Sequence, residues 1–382
     1  MSSPISETRA TLSPRRAAET AAFGEFPTAE ITSTDSYGTL SPNLKHNSHF
    51  SLSMEQVRWA SFIFMKASVA MSPTAKKSIC DIFKLYHSGY YVILQYMKTL
   101  RECLQEAEEK KTAIGHFNIS NMEILWAVVS AARKLNVPVI VGLSEGEGKF
   151  FGLKQAKAVV DSIRQEFNHP IFINADHSYS FDRLKEAVDA RFDEVIYDGA
   201  QSPVEKNIEE TKKCLTYAKS VDPEIMVEGE LGYIGSASII LNDIPDGVSP
   251  EMMTKPEEAK RYVDETGVDL FAPSVGNIHG MLKNVSNPRL DIERIKSIRD
   301  AVGVPLVLHG GSGISDYDFK AAIASGISII HISTEIRVGF KKAVSESFQK
   351  DVDNFAPYKL MGPAIEAVEK IVWNKLKIFN NL

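Results

Sequence analysis

The chain has 382 residues, 44% of them hydrophobic and 24% charged, with a net charge of −6. That composition excludes disorder of the whole chain, and the acidic balance excludes a general nucleic-acid binder, since neutralising phosphates needs a basic field. Cys80, Cys103 and Cys214 form no CxxC pair, which suits a reducing compartment and argues against a disulfide scaffold or a thiolate zinc site. No apolar run reaches the roughly 20 residues that span a bilayer, so neither nucleic acid nor membrane is an expected partner.

Residues 1–52 are rich in Ser, Thr, Pro and Ala and are expected to be disordered. Arg9, Arg15 and Arg16 among hydroxyl residues resemble an organelle transit peptide, but Glu7, Glu19, Glu25 and Glu30 speak against it. A cytoplasmic location is therefore expected, with organelle targeting as the weaker alternative. Residues 53–96 carry enough aromatic and aliphatic side chains, as in FIFM and IFKLYHSGYYVILQY, for a helix or two packed on the domain that begins at Met97. Met97 itself looks like a natural start, so 1–96 reads as an extension, a targeting segment or a mistaken gene start.

From Met97 the pattern becomes regular. A charged helical stretch, MKTLRECLQEAEEKK, leads into β-rich runs: TAIGHFN (112–118), PVIVGLS (138–144), PIFINADH (170–177), EVIYDG (194–199), EIMVEGELG (224–232), LFAPSVG (270–276), PLVLHGG (305–311) and ISIIHIST (327–334). Between them lie predicted helices at Glu123–Asn136, Leu153–Asn168, Phe181–Arg191, Val204–Val221, Pro256–Thr266, Asp291–Val302 and Asp316–Ser325. Another begins near Glu335, and a last one closes the chain after Pro363. Eight strand–helix units predict an α/β fold, a (β/α)8 TIM barrel over 97–382, where an open doubly wound sheet usually stops sooner.

Barrel sites lie at the C-terminal strand ends, and here the ionisable residues collect there while the strand starts are apolar. His177, His279 and His309 are candidate ligands of one metal: zinc binds neutral imidazole and, when catalytic, keeps a position open. Asp176 precedes His177 and should point near the metal without sharing its face, as a general acid/base or an acid orienting the histidine. Glu228 and Glu230 alternate on the fifth run and project to one side; Glu230 and Asp198 are candidate further ligands or orienting acids. Gly310, Gly311 and Ser312 of HGGSG, before a predicted helix and beside His331, Ser333 and Thr334, form the usual phosphate-binding corner of such barrels.

In order, GHFNISN, NADHS, YDGAQSP followed by KNI (206–208), VEGELGYIG, GVDLFAPSVGNIHG, VPLVLHGGSG and ISTEIR resemble the class II fructose-bisphosphate and tagatose-bisphosphate aldolases. The likeness runs essentially from Met97 to Leu382. It implies Zn2+ on His177, His279 and His309, with Glu230 and Asp198 as acids around the metal. It also implies Asp176 exchanging a proton with the C4 hydroxyl. Gly280, Gly310 and Ser312 fall where a ketose phosphate or a monovalent cation, Na+ or K+, is held; Asn118 and Ser144 fall on substrate-contacting positions.

The implied reaction is reversible aldol cleavage of a ketose phosphate or bisphosphate, fructose 1,6-bisphosphate or a stereoisomer such as tagatose 1,6-bisphosphate. The products are dihydroxyacetone phosphate and an aldehyde, and family members pair as homodimers or higher homo-oligomers. None of the eight runs holds the strand lysine that Schiff-base chemistry needs.

Three positions depart from the family pattern. GSASII replaces acids of a mobile loop that supply the enolisation base, leaving Asp243, Asp246 and Glu251 as candidates. His331 stands for an Asn, near the ketone phosphate, as a fourth imidazole near the metal, or as a histidine that simply hydrogen-bonds inside the barrel. Gly362 stands where an Arg grips a second phosphate, with Arg337, Lys341 and Lys283 as candidate substitutes. Other sugar-phosphate lyases or isomerases, and a non-catalytic sugar-phosphate-binding barrel, are the competing readings. A metal-dependent hydrolase fits less well, since GHFN replaces the usual HxH pair.

Overall fold

The computed structural model describes residues 97–236, 238–350 and 352–382. The expectations for 1–96 lie outside the described residues.

In chain order the elements begin with α1 (Leu100–Lys110), β1 (Ile114–Asn118), α2 (Met122–Leu135), β2 (Val139–Leu143), α3 (Glu145–Phe151), α4 (Leu153–Phe167) and β3 (Ile171–Ser178). There follow α5 (Phe181–Asp189), β4 (Glu194–Tyr197), α6 (Val204–Val221), β5 (Met226–Leu231), β6 (Ile240–Leu241), a 3-10 turn (Pro250–Met252) and α7 (Pro256–Thr266). The rest is β7 (Leu270–Pro273), β8 (Met281–Leu282), α8 (Ile292–Val302), β9 (Leu306–Leu308), α9 (Asp316–Ala324), β10 (Ile327–Ile332), α10 (Thr334–Lys350) and α11 (Pro357–Phe379).

The eight predicted runs close into a parallel barrel in the order β1-β10-β9-β7-β5-β4-β3-β2, as a TIM barrel requires. The brief β6 and β8 pair only with each other, beside the barrel mouth's long loops.

Local chemistry sets the element ends. Thr99 and Glu102 form a reciprocal capping box that starts α1, and Asn121 caps α2 through the Ile124 N–H. Gly267 ends α7 in the left-handed region, where only a residue without Cβ sits freely.

Inside the barrel the side chains form layers. The lowest is apolar, with Ile114, Ile140, Phe172, Met226, Leu270, Val307 and Ile329 packed on Leu100, Cys103, Leu104 and Ala107 of α1, which closes that end. The next holds His116, Asn174, Glu228 and His331, all buried. The outer core lies between the strands and the ring of helices.

Two expectations need correction, and three short elements were not foreseen. Strand starts are not uniformly apolar: Glu194, fully buried, opens β4 because that strand starts late, pairing with Asn174 in the polar layer. Helix α3 went unread, since Gly146 and Gly148 are poor helix formers. β6 and β8, two residues each, are too short for a readable period. Helix α11 starts at Pro357 and carries Pro363 inside it. Burial of Leu360, Ala364, Val368, Val372 and Leu376 along one face offsets the backbone hydrogen bond that Pro363 cannot make.

Candidate active site

Strand periodicity alone would send Asp176 and His177 to opposite faces of β3. The chain avoids this with a local irregularity: His177 adopts φ 52°, and the β3–β4 register shifts between Ala175 and Ser178. Both side chains therefore enter the site, Asp176 Oδ1 lying 3.6 Å from His177 Nε2. The expectation that they occupy different faces fails for that reason.

His279 comes from the loop after β7, tied by its N–H to the Ile234 carbonyl at 2.8 Å, and His309 ends β9. One ring nitrogen from each of His177, His279 and His309 lies within 4.8 Å of the others. His177 Nε2 and His309 Nδ1 face each other at 3.1 Å, close to the roughly 3.3 Å expected for two nitrogens on one tetrahedral zinc.

The opposite nitrogens are held by acids. His309 Nε2 donates to Glu228 Oε1 at 2.7 Å. His177 Nδ1 donates to Asp198 Oδ2 at 2.9 Å, with Glu230 Oε2 at 3.3 Å. Such carboxylates fix each tautomer so that the free lone pair faces the centre. With a proton on each far nitrogen, the facing pair at 3.1 Å needs either a proton or a metal ion between its two nitrogens.

The electrostatics agree with that need. Burial alone would push His177 down, but Asp176, Glu230 and Asp198 outweigh it and draw the imidazole well above the usual histidine range. The acids thus create a field that holds positive charge. Burial, aided by His177 and His309, pushes His279 down to about 3, and burial lowers His309 as well. Neutral imidazoles are the form a metal takes. The chemistry of this donor set fits a zinc ion.

Asp176 is set by its neighbours: burial raises it, but His177, His331 and His116 outweigh burial and hold the carboxyl well below the usual range. Its Oδ2 accepts from Asn118 Nδ2 at 2.8 Å, while Oδ1 is buried without a hydrogen-bond partner among the described residues. That free acceptor is available to a substrate hydroxyl. Beneath the site, burial and then the Glu228 charge raise Glu194 well above the carboxylate range.

The site opens into a cavity of about 190 Å3 lined by Asn118, Ser144, Asp176 and the three metal-candidate histidines, among others. Gly280, Gly310, Ser312, His331, Ser333 and Thr334 line it too. Gly310, at φ 62°, lets the loop approach the Ile278 carbonyl, which any Cβ would strike. Gly311 instead spends its N–H on the His331 carbonyl, at 3.0 Å. Glu335 accepts from the Gly313 N–H at 2.8 Å and pairs with Lys375 at 2.9 Å, tying the glycine loop to the start of α10.

His331 stacks on His116 with ring centroids 3.5 Å apart and planes 5° from parallel; its Nδ1 lies 3.4 Å from Asp176 Oδ1. Among the candidate substitutes for the second-phosphate Arg, Arg337 lines the cavity, and Lys341 and Lys283 do not. Asp243, Asp246 and Glu251 do not line it either; Ser236 and Ser238 of that loop do.

The fructose-bisphosphate aldolase class-II family model matches residues 98–382. The chain belongs to the class II fructose-bisphosphate aldolase family. This aldolase is thus an enzyme, a carbon–carbon lyase acting in carbohydrate metabolism on a sugar phosphate. The fructose-bisphosphate aldolase of Staphylococcus epidermidis is 36% identical over 284 residues, covering 74% of this chain and 96% of its own. That of Geobacillus stearothermophilus is 36% identical over 286 residues, with the same coverage of 74% and 96%. Among solved structures, the YdjI aldolase of Escherichia coli K12 is 30% identical, with a TM-score of 0.61 over 74% of this chain and 97% of that one. The fructose-bisphosphate aldolase of Campylobacter jejuni, at 21% identity and a TM-score of 0.62 over 74% and 94% of the two chains, shares the fold. No helix among the described residues is long and apolar enough to cross a membrane.

Two residues in or beneath this aldolase's site, Glu147 and Glu194, carried no expectation from the sequence. Glu147 accepts from Asn118, Ser144 and Arg337; the S-x-x-E spacing Ser144–Glu147 was its signal, a capping box opening α3. Glu194 gave none, because a polar side chain inside a barrel strand reads like any break in an apolar run; His116 stands among the ionisable residues at the strand ends, with no role assigned to it there.

Proposed function

We propose that this aldolase catalyses zinc-dependent, reversible aldol cleavage of a ketose phosphate, giving dihydroxyacetone phosphate and an aldehyde. One observation carries the reading: His177 Nε2 and His309 Nδ1 face one centre at 3.1 Å, their far nitrogens anchored on Asp198 and Glu228, with Asp176 beside them. His177, His279 and His309 would hold the metal, with Asp198 and Glu230 orienting His177. Bound there, zinc supplies Lewis-acid polarisation of the substrate ketone.

The chain's own groups do the rest. Asp176, kept ionised by its neighbours and fixed by Asn118, accepts the C4 hydroxyl proton during cleavage and returns it during condensation. The Gly280, Gly310 and Ser312 cradle, with Ser333 and Thr334 at the start of α10, offers N–H and hydroxyl groups to the ketose phosphate. A monovalent cation belongs to the same cradle in this reading.

The test is a coupled assay of triose-phosphate release from ketose phosphates. Chelator should abolish release and zinc restore it, and Asp176→Ala should lose about 10²–10⁴-fold in kcat. Cleavage that survives chelation would overturn the zinc mechanism.

A further inference from the structure

The two sides of the cavity treat anions differently. At the β9–β10 corner the Gly311 and Gly313 N–H groups go to the His331 carbonyl and Glu335, but Gly280, Gly310, the Ser312 and Thr334 hydroxyls, a Ser333 hydroxyl without a partner among the described residues and the first turn of the 17-residue α10 converge, a setting suited to one phosphate. On the β1–β2 side Asn118, Ser144 and one N–H of Arg337 are already bonded to one carboxylate, that of Glu147. Asn118 Nδ2 gives one proton to Asp176 at 2.8 Å and the other to Glu147 Oε2 at 3.0 Å. Ser144 donates its N–H and its hydroxyl to the same oxygen, at 3.0 and 2.9 Å. Arg337, the one Lys or Arg lining the cavity among the described residues, donates to Glu147 Oε1 at 2.7 Å.

A phosphate placed on that side would have to take these donors from a buried carboxylate, leaving it uncompensated, or use the remaining N–H groups of Arg337 while lying beside that carboxylate's charge with the guanidinium already paired. No further Lys or Arg among the described residues lines the cavity to relieve this: Glu145 joins Asp176 as an acid of the lining, and Gly362, where the family arginine would fall, has no neighbour within 4 Å of a built Cβ. Hydroxyl groups meet no such conflict, because Glu145 and the Asp176 carboxylate accept hydrogen bonds.

We propose that Glu147 is a specificity-determining positioning residue that closes the β1–β2 side to a second phosphate. The preferred substrate is then a ketose with one phosphate, next to the ketone, and an uncharged hydroxylated far end. This deepens the aldolase reading and rests on it. Glu147 acts through Asn118, Ser144 and Arg337, as a built-in repulsive element.

The experiment compares kcat/KM for fructose 1-phosphate and fructose 1,6-bisphosphate on the zinc-loaded full chain. The wild type should favour the monophosphate at least about tenfold, and Glu147→Gln should move that ratio at least about tenfold toward the bisphosphate by releasing Arg337. Glu147→Asp, which keeps the charge, should retain the wild-type direction. It also separates a charge effect from damaged packing if the Gln variant folds poorly. A wild-type ratio below that mark, or one that Glu147→Gln leaves in place, overturns the proposal. If neither ketose is cleaved, turnover of these fructose esters fails separately from the specificity proposal. Melting shifts induced by the two ligands on the Asp176→Asn chain, which turns over neither, still decide which of them the pocket accepts: a larger shift with the bisphosphate overturns the proposal.

Discussion

At the scale of single residues, the site depends on which nitrogen of each imidazole is free. Glu228 takes the proton side of His309, and Asp198 with Glu230 takes that of His177, so in the neutral imidazoles that a metal binds the lone pairs point inward. Asp198→Ala should therefore lower metal affinity about 10–100-fold without unfolding the barrel. Chelator competition measures this, and an affinity equal to wild type would remove the orienting role from Asp198. His177, Asp176 and His309 were legible as strand-end residues. Their joint arrival at one centre was not, because it needs the left-handed backbone at His177, which strand alternation does not foresee.

Among the elements, β2 shows how tightly the polar layer is packed. A Cβ on Gly142 would fall inside the ring of His116, and that ring cannot retreat because His331 is stacked on it at 3.5 Å. Gly142→Ala should cost about 1–3 kcal/mol of stability by overpacking. A denaturant midpoint unchanged from wild type would show that the two imidazoles are freer than this stacking implies. Helices with a full apolar face were readable to the residue, as at Val204–Val221 and Pro256–Thr266. Short α3 was hidden by its glycines. Its capping box nonetheless places Glu147 against Asn118, so an element missed in the sequence carries the residue proposed to select the substrate.

For the molecule as a whole, metal binding and stability are linked, since the three histidines come from β3, the loop after β7 and the end of β9 and converge only in the folded chain. At a free zinc concentration about 100-fold above Kd, the folded state gains about 2.7 kcal/mol. Stripping the metal should then lower the melting temperature by about 5 °C for a barrel of this size. Identical melting curves with and without chelator would mean that the folded barrel holds no stabilising metal at these histidines.

The sequence by itself determined the eight strands, the helices with long apolar faces, the closed barrel and the strand-end position of the reactive residues. These features come from periodicities of two and 3.6 residues and from the rule that a parallel barrel gathers its loops at one end. Tertiary structure alone decided how the residues pair across the barrel: Glu228 with His309, Asp198 with His177, His116 on His331, and Glu147 with Asn118, Ser144 and Arg337. Such pairs join strands and helices far apart in the chain, and their geometry depends on barrel register, one backbone irregularity and burial. The family motifs bring a reader to the aldol chemistry; the carboxylate that fills the donors of the β1–β2 wall becomes visible only when the barrel is closed.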